Sequence, residues 1–227
     1  MADRCLLYYI TDRAQLSGDE AAQRRALLSK VAEAARAGVN YIQLREKDLT
    51  GRALELLARD AMTAIGEASL TTNHQPPTTR LLINSRTDIA IAVGADGVHL
   101  RSDDISPAEV RRPWSLCGAG TPARERPVIG VSCHSREEVL RAESEGADFA
   151  VFAPVFGKQG SAPAGIAALR EACRGKIPVF ALGGVTLENA AACLEAGAAG
   201  IAAIRLFQDN KIEEVVRVLR GPGNNLE

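Results

Sequence analysis

The chain has 227 residues, 46% hydrophobic and 24% charged, with a formal net charge of -1, which suits one large domain with ample core material. Lys and Arg are scattered rather than clustered, so a nucleic-acid or membrane-surface role has no electrostatic footprint. Five cysteines (Cys5, Cys117, Cys133, Cys173, Cys193), odd in number and without a CxxC pair, form neither a disulfide framework nor a zinc set and fit a reducing cytoplasm.

The first residues lack a secretory apolar region of sufficient length, and no apolar run approaches the roughly 20 residues of a membrane span. A cytoplasmic protein is expected. The predicted strands, in chain order, are Leu6–Ile10, Tyr41–Leu44, Leu81–Asn84, Gly97–Leu100, Val128–Val131, Phe149–Phe152, Pro178–Ala181 and Gly200–Ala203. Their hydrophobicity is continuous rather than alternating, as strands buried on both faces require. Four of them follow one phrase, an amphipathic stretch and then glycine: Gly38, Gly94, Gly146 and Gly197, spaced by 56, 52 and 51 residues. Each gap holds about two βα units of roughly 25–30 residues. Eight units predict a (β/α)8 barrel over residues 1–220 with a fraying tail at 221–227; an open doubly wound sheet is the alternative.

Between the strands, Ser106-Pro107-Ala108-Glu109 and Ser135-Arg136-Glu137-Glu138 read as helix starts with capping boxes. Thr71–Thr79 and Arg112–Pro127, rich in Pro, Thr, Gly and Arg, read as insertions at the barrel's bottom, with Trp114 as their local packing.

Chemistry is expected where strands end. Side chains alternate along a strand, so Gln43, Arg45 and Lys47 share the face begun by Tyr41 and form an anion-binding wall, or else a solvated strand end. Ile83-Asn84-Ser85-Arg86-Thr87-Asp88 and His99-Leu100-Arg101-Ser102-Asp103-Asp104, which follow strands 3 and 4, collect polar groups at the mouth. There Asp104 is a candidate magnesium ligand, or a lead into the Ser106 helix. After strand 5, Val131-Ser132-Cys133-His134 places a proton-shuttling imidazole at the mouth, with Cys133 turned to the opposite face. After strand 7, Gly183-Gly184 lets backbone amides approach an anion, at the usual phosphate end of this fold.

Gln43-Leu44-Arg45-Glu46-Lys47, Gly94-Ala95-Asp96-Gly97-Val98-His99-Leu100, Gly130-Val131-Ser132-Cys133-His134-Ser135 and Gly183-Gly184 together resemble the thiamin phosphate synthase / thiazole tautomerase superfamily. The resemblance runs from Tyr9 to Ile204. It implies a (β/α)8 barrel and a small phosphorylated thiazole or pyrimidine ligand, with self-association into a homo-oligomer left open. Gln43, Arg45, Lys47, Asn84, Ser132 and Lys158 would bind substrate; Gly183, Gly184, Ile204 and Arg205 would bind phosphate.

The synthase branch joins a pyrimidine diphosphate to a thiazole phosphate with magnesium and releases pyrophosphate. Its Asn-Asp pair after strand 3 is Asn84-Ser85 here, and its Gln before the second Asp is Ser102. Its Thr-x-Thr-Lys segment is replaced by Ala153-Pro154-Val155-Phe156 with a displaced Lys158, and Arg205 stands for a small residue. The tautomerase branch needs no metal, and His134 matches its proton-shuttling position. Metal-independent proton transfer by His134 is therefore the leading expectation. The alternatives are a synthase with Asp104 and a rearranged metal site drawing on Asp88 or Asp103, and a non-catalytic phosphate-ligand sensor.

Overall fold

The computed structural model describes residues 5–70, 79–117, 126–157 and 162–221. Eight parallel strands close in sequence order: β1 (Leu6–Ile10), β2 (Tyr41–Leu44), β3 (Arg80–Asn84), β4 (Gly97–Leu100), β5 (Val128–Cys133), β6 (Phe149–Phe152), β7 (Val179–Ala181) and β8 (Gly200–Ala203), with β8 pairing back onto β1. The barrel expected from the glycine spacing is the architecture observed. Strand β5 runs two residues beyond its predicted end, which brings Ser132 and Cys133 into regular strand.

Helices α1 (Glu20–Arg36), α2 (Gly51–Leu70), α3 (Thr87–Val93), α4 (Pro107–Cys117), α5 (Arg136–Ser144), α6 (Gly165–Ala172), α7 (Ala190–Glu195), α8 (Arg205–Gln208) and α9 (Ile212–Arg220) surround it. Among the described residues no helix is long and apolar enough to cross a membrane. Of the two predicted capping boxes, the first closes in full and the second in part. Ser106 Oγ accepts from the Glu109 amide and Ser106 N–H donates to Glu109. Ser135 Oγ accepts from the Glu138 amide, while the Glu138 carboxylate reaches one residue further back, to the His134 N–H.

Pleating divides the core in two. Leu7, Ile42, Ile83, Val98 and Ile201 face outward to the helices, in the larger cluster. Tyr8, Ile10, Leu82, Val128, Phe149, Val151, Phe180 and Ala202 fill the barrel itself. Phe149 sits at its centre, with ring centroids 5.0 Å from Phe180, 5.2 Å from Tyr41 and 5.4 Å from Tyr8. That packing needs Gly130: a Cβ there would lie 2.4 Å from the Phe149 ring. The middle of the barrel is therefore aromatic, with Gln43, Asn84 and Ser132 nearer the C-terminal ends of the strands.

The predicted insertion Arg112–Pro127 is in part helix, because α4 continues to Cys117 through Pro113. Val110 and Trp114, one turn apart, are both buried in the outer core. Burying the indole offsets the roughly 3 kcal/mol that an internal proline costs. Trp114 thus packs on the main core rather than on a local insertion. Of Thr71–Thr79, residues 71–78 lie outside the described residues; Thr79 is buried and donates to Val39 O at 2.6 Å. In the expected tail, residues 222–227 also lie outside them.

Candidate active site

At the C-terminal mouth, the ends of β2, β3 and β4 are joined by one chain of polar side chains. Buried Gln43 Nε2 donates to Asn84 Oδ1 at 2.9 Å. Asn84 Nδ2 donates to Ser85 Oγ at 3.3 Å, and Ser85 Oγ donates to Asp104 Oδ2 at 2.6 Å. Asp104 Oδ2 also accepts from the Arg101 amide at 2.8 Å. Three expected site residues, Gln43, Asn84 and Asp104, are thus brought together, with Ser85 as the link.

The strand alternation carries Gln43 and Arg45 to the mouth but ends before Lys47, which begins a turn and is exposed. Among the described residues no carboxylate pairs with Arg45, which is half-buried. Its neighbour Glu46 is held on the other side by a buried network. Glu46 accepts from Thr11 Oγ1 at 2.6 Å and from the Arg13 amide at 3.0 Å, and lies 3.4 Å from Arg13 Nη1. Arg13 further grips Asp48 with both guanidinium arms, at 2.6 and 2.8 Å. Those bonds hold the Asp48 carboxyl below the usual carboxylate range. Thr11 Oγ1 also receives the Arg45 amide at 3.0 Å, so the network fixes the backbone that presents Arg45.

From β5, Ser132 faces the mouth half-buried, and its Oγ lies 2.8 Å from Nε2 of buried His99. Burial, aided by the nearby Arg45 charge, pushes the His99 pKa down to about 3, so the ring is neutral. Cys133 points outward into the core, as expected, and burial pushes its thiol up to about 12. His134 is exposed at the rim, with Nδ1 2.6 Å from Ala153 O.

On the far side, Gly183 and Gly184 adopt φ of 98° and 67°, a region that favours glycine. Much of the demand comes from the loop after β6. A Cβ on Gly183 would lie 2.8 Å from Pro154, and one on Gly184 2.7 Å from Phe156 O. Ile204 and Arg205 follow β8, with Arg205 exposed. Lys158 lies outside the described residues.

Arginines engage all three acids considered for a metal, since Arg101 Nε also lies 3.4 Å from Asp104 Oδ1. Arg86 binds Asp88 at 2.9 and 2.6 Å, and Arg101 meets Asp103 at 3.2 Å. Among the described residues no group of three or more His, Cys, Asp or Glu side chains converges on a metal position. The Ser85–Asp104 pair is instead one carboxylate and one hydroxyl. That set suits magnesium when substrate phosphates complete the shell, and is too small for an all-protein cage.

Sequence reasoning gave no role to Tyr8, Thr11, Arg13 and Glu46, and named His99 only as part of the polar segment after strand 4. A histidine between Val98 and Leu100, in a strand buried on both faces, was the available signal.

A family model described as thiamine monophosphate synthase matches residues 7–207. A Syntrophomonas wolfei thiamine-phosphate synthase is 39% identical over 222 residues, covering 94% of each chain. A Geobacter sulfurreducens protein named "Putative thiamine-phosphate synthase" is 44% identical over 203 residues, 87% of this chain and 84% of its own. Among solved structures, thiamine phosphate pyrophosphorylase from Pyrococcus furiosus superimposes with a TM-score of 0.71 at 29% identity, over 96% of this chain and 95% of that one.

Proposed function

Because the chain belongs to the thiamine monophosphate synthase family, enzymes of thiamin biosynthesis, we propose that it is the transferase of that family: it joins a pyrimidine diphosphate to a thiazole phosphate and releases pyrophosphate. The reading rests on one observation above all. The chain Gln43–Asn84–Ser85–Asp104 is continuous although Ser85 stands where the synthases carry a carboxylate. The relatives named as synthases support the same reading. Both weigh against the order expected from sequence, which put proton transfer first.

A leaving pyrophosphate develops negative charge that must be stabilised. Arg45 and Lys47 supply cationic donors on one side, and Ser85 and Asp104 would hold magnesium on the other. When bound, the metal neutralises charge on the diphosphate. Gln43 orients Asn84 and through it Ser85, so the oxygen donors stand ready before substrate arrives. Gly183, Gly184 and Ile204 close the opposite wall, where the thiazole phosphate would bind.

The test is binding followed by turnover. Calorimetry should show magnesium binding tightly only with a pyrimidine diphosphate present, and pyrophosphate release should require both substrates and the metal. Pyrophosphate release that ignores the thiazole phosphate would overturn the transferase reading.

His134 sustains the second reading. The Ala153 carbonyl can only accept, so His134 Nδ1 is the donor and Nε2 is the nitrogen left for proton transfer. That geometry suits metal-independent isomerisation of a phosphorylated thiazole.

A further inference from the structure

The barrel interior holds a polar relay that the anion and metal groups leave unused. His99 is 2% exposed, and both of its ring nitrogens are engaged. Nδ1 lies 3.1 Å from the Tyr8 hydroxyl and Nε2 2.8 Å from Ser132 Oγ. Three strands supply the three groups: Tyr8 from β1, His99 from β4 and Ser132 from β5. Gly130 makes room for it, since a Cβ there would lie 3.0 Å from His99 Nδ1.

The surroundings set its direction. Tyr8 is fully buried, enclosed by the rings of Tyr41, Phe149 and Phe180 at 5.4–5.8 Å. Among the described residues, Nδ1 of His99 is the one hydrogen-bond partner its hydroxyl has. Burial raises the phenol pKa, so the proton stays on, and a buried hydroxyl proton without an acceptor is costly. Tyr8 therefore donates to Nδ1. A neutral imidazole accepting at Nδ1 carries its proton on Nε2, which then donates to Ser132 Oγ. Ser132 receives on its oxygen, and its own hydrogen is directed away from the relay. The residue is half-buried at the mouth, so that hydrogen is left for an acceptor outside the relay, such as a bound ligand would bring.

We propose that Tyr8 and His99 are positioning residues that fix the Ser132 hydroxyl as a hydrogen-bond donor to an acceptor atom of the bound substrate. The direction of the relay follows from the barrel alone; its use in turnover rests on the transferase reading above. The opposite tautomer would make Ser132 donate backwards to His99 and offer the ligand only lone pairs. One buried phenol thus decides which kind of atom Ser132 recognises.

The test has two arms. In protein labelled with ¹⁵N-histidine, the His99 signal, identified by its absence in His99→Gln, should be the neutral Nε2–H tautomer. In Tyr8→Phe it should become a mixture of tautomers. In the synthase assay, Tyr8→Phe should lower kcat about tenfold with KM little changed, the scale of one misdirected hydrogen bond. The same change should add nothing in a Ser132→Ala background. An Nδ1–H tautomer in the wild type, or equal losses in both backgrounds, overturns the proposal. If the wild type makes no thiamin phosphate, the transferase reading fails, and the tautomer measurement still decides the relay.

Discussion

Ser85 donates its hydroxyl to Asp104 at 2.6 Å from a left-handed backbone with φ of 56°. That conformation is uncommon for serine and better tolerated by Asp or Asn. The backbone is thus already shaped for the carboxylate that the synthases carry here. Ser85→Asp should fold, repel Asp104 in the absence of metal, and bind magnesium about tenfold more tightly through its added charge. Magnesium titration by calorimetry checks this, with thermal melts in metal and in EDTA. A variant no tighter than wild type would remove Ser85 and Asp104 from the metal site.

Arg45 presents a guanidinium at the mouth with no carboxylate partner among the described residues. Arg45→Ala should weaken a phosphorylated pyrimidine or thiazole by about 1.5–3 kcal/mol, the worth of a charge-assisted bond. The melting temperature should stay close to wild type. Calorimetry against both ligands tells which phosphate it holds, and unchanged affinity for both would assign Arg45 to the solvated rim.

Glu46 behaves oppositely, because its side chain is buried and committed to Thr11 and Arg13. Glu46→Ala leaves buried donors without an acceptor, at about 1–3 kcal/mol each. For a chain of this size each kcal/mol lowers Tm by about 2–4 °C. Glu46→Gln keeps an acceptor and should lose less. Calorimetric melts of the two variants give the comparison, and equal losses would point to charge rather than hydrogen bonding.

The architecture was legible because parallel strands buried on both faces leave continuous apolar runs, and glycines after helices recur at a near-constant spacing. At the mouth, Gln43 and Asn84 were legible because they lie near the ends of β2 and β3, where alternation points them inward, and Asp104 because it follows a strand at the end of the barrel that carries the functional loops. Lys47 escaped that logic, since β2 stops at Leu44 and a turn has no period of two. The Tyr8–His99–Ser132 relay escaped it for another reason. Its members are 91 and 33 residues apart, and only barrel closure brings β1, β4 and β5 to one axis. The Pro113 helix was hidden because local propensity argued for a loop while a distant surface received Trp114.

His99 also predicts a pH dependence of stability. Its folded pKa, about 3, lies below the unfolded value near 6.5. The unfolded chain therefore takes up a proton that the folded one refuses. This group's contribution is full above pH 6.5 and is lost as pH falls towards 3, at about 1.4 kcal/mol per unit. Urea unfolding at several pH values should show a shallower slope for His99→Gln than for wild type. Identical slopes would mean that the ring titrates in the folded state.

His134 separates the two functional readings. As a rim residue in a transferase, His134→Asn should retain most thiamin phosphate formation. As the base of an isomerase it should lose about 10²–10⁴-fold in rate. Deuterium exchange into a thiazole carboxylate phosphate, followed for wild type and variant, measures the second role. Fast exchange by wild type that the variant abolishes would restore proton transfer as the leading reading.

The central claim is tested most directly by mass spectrometry of the product. Purified wild type, given the pyrimidine diphosphate, the thiazole phosphate and magnesium, should form thiamin phosphate and pyrophosphate in equal amounts, and neither in EDTA. Absence of thiamin phosphate under those conditions, with both substrates bound, would contradict the account.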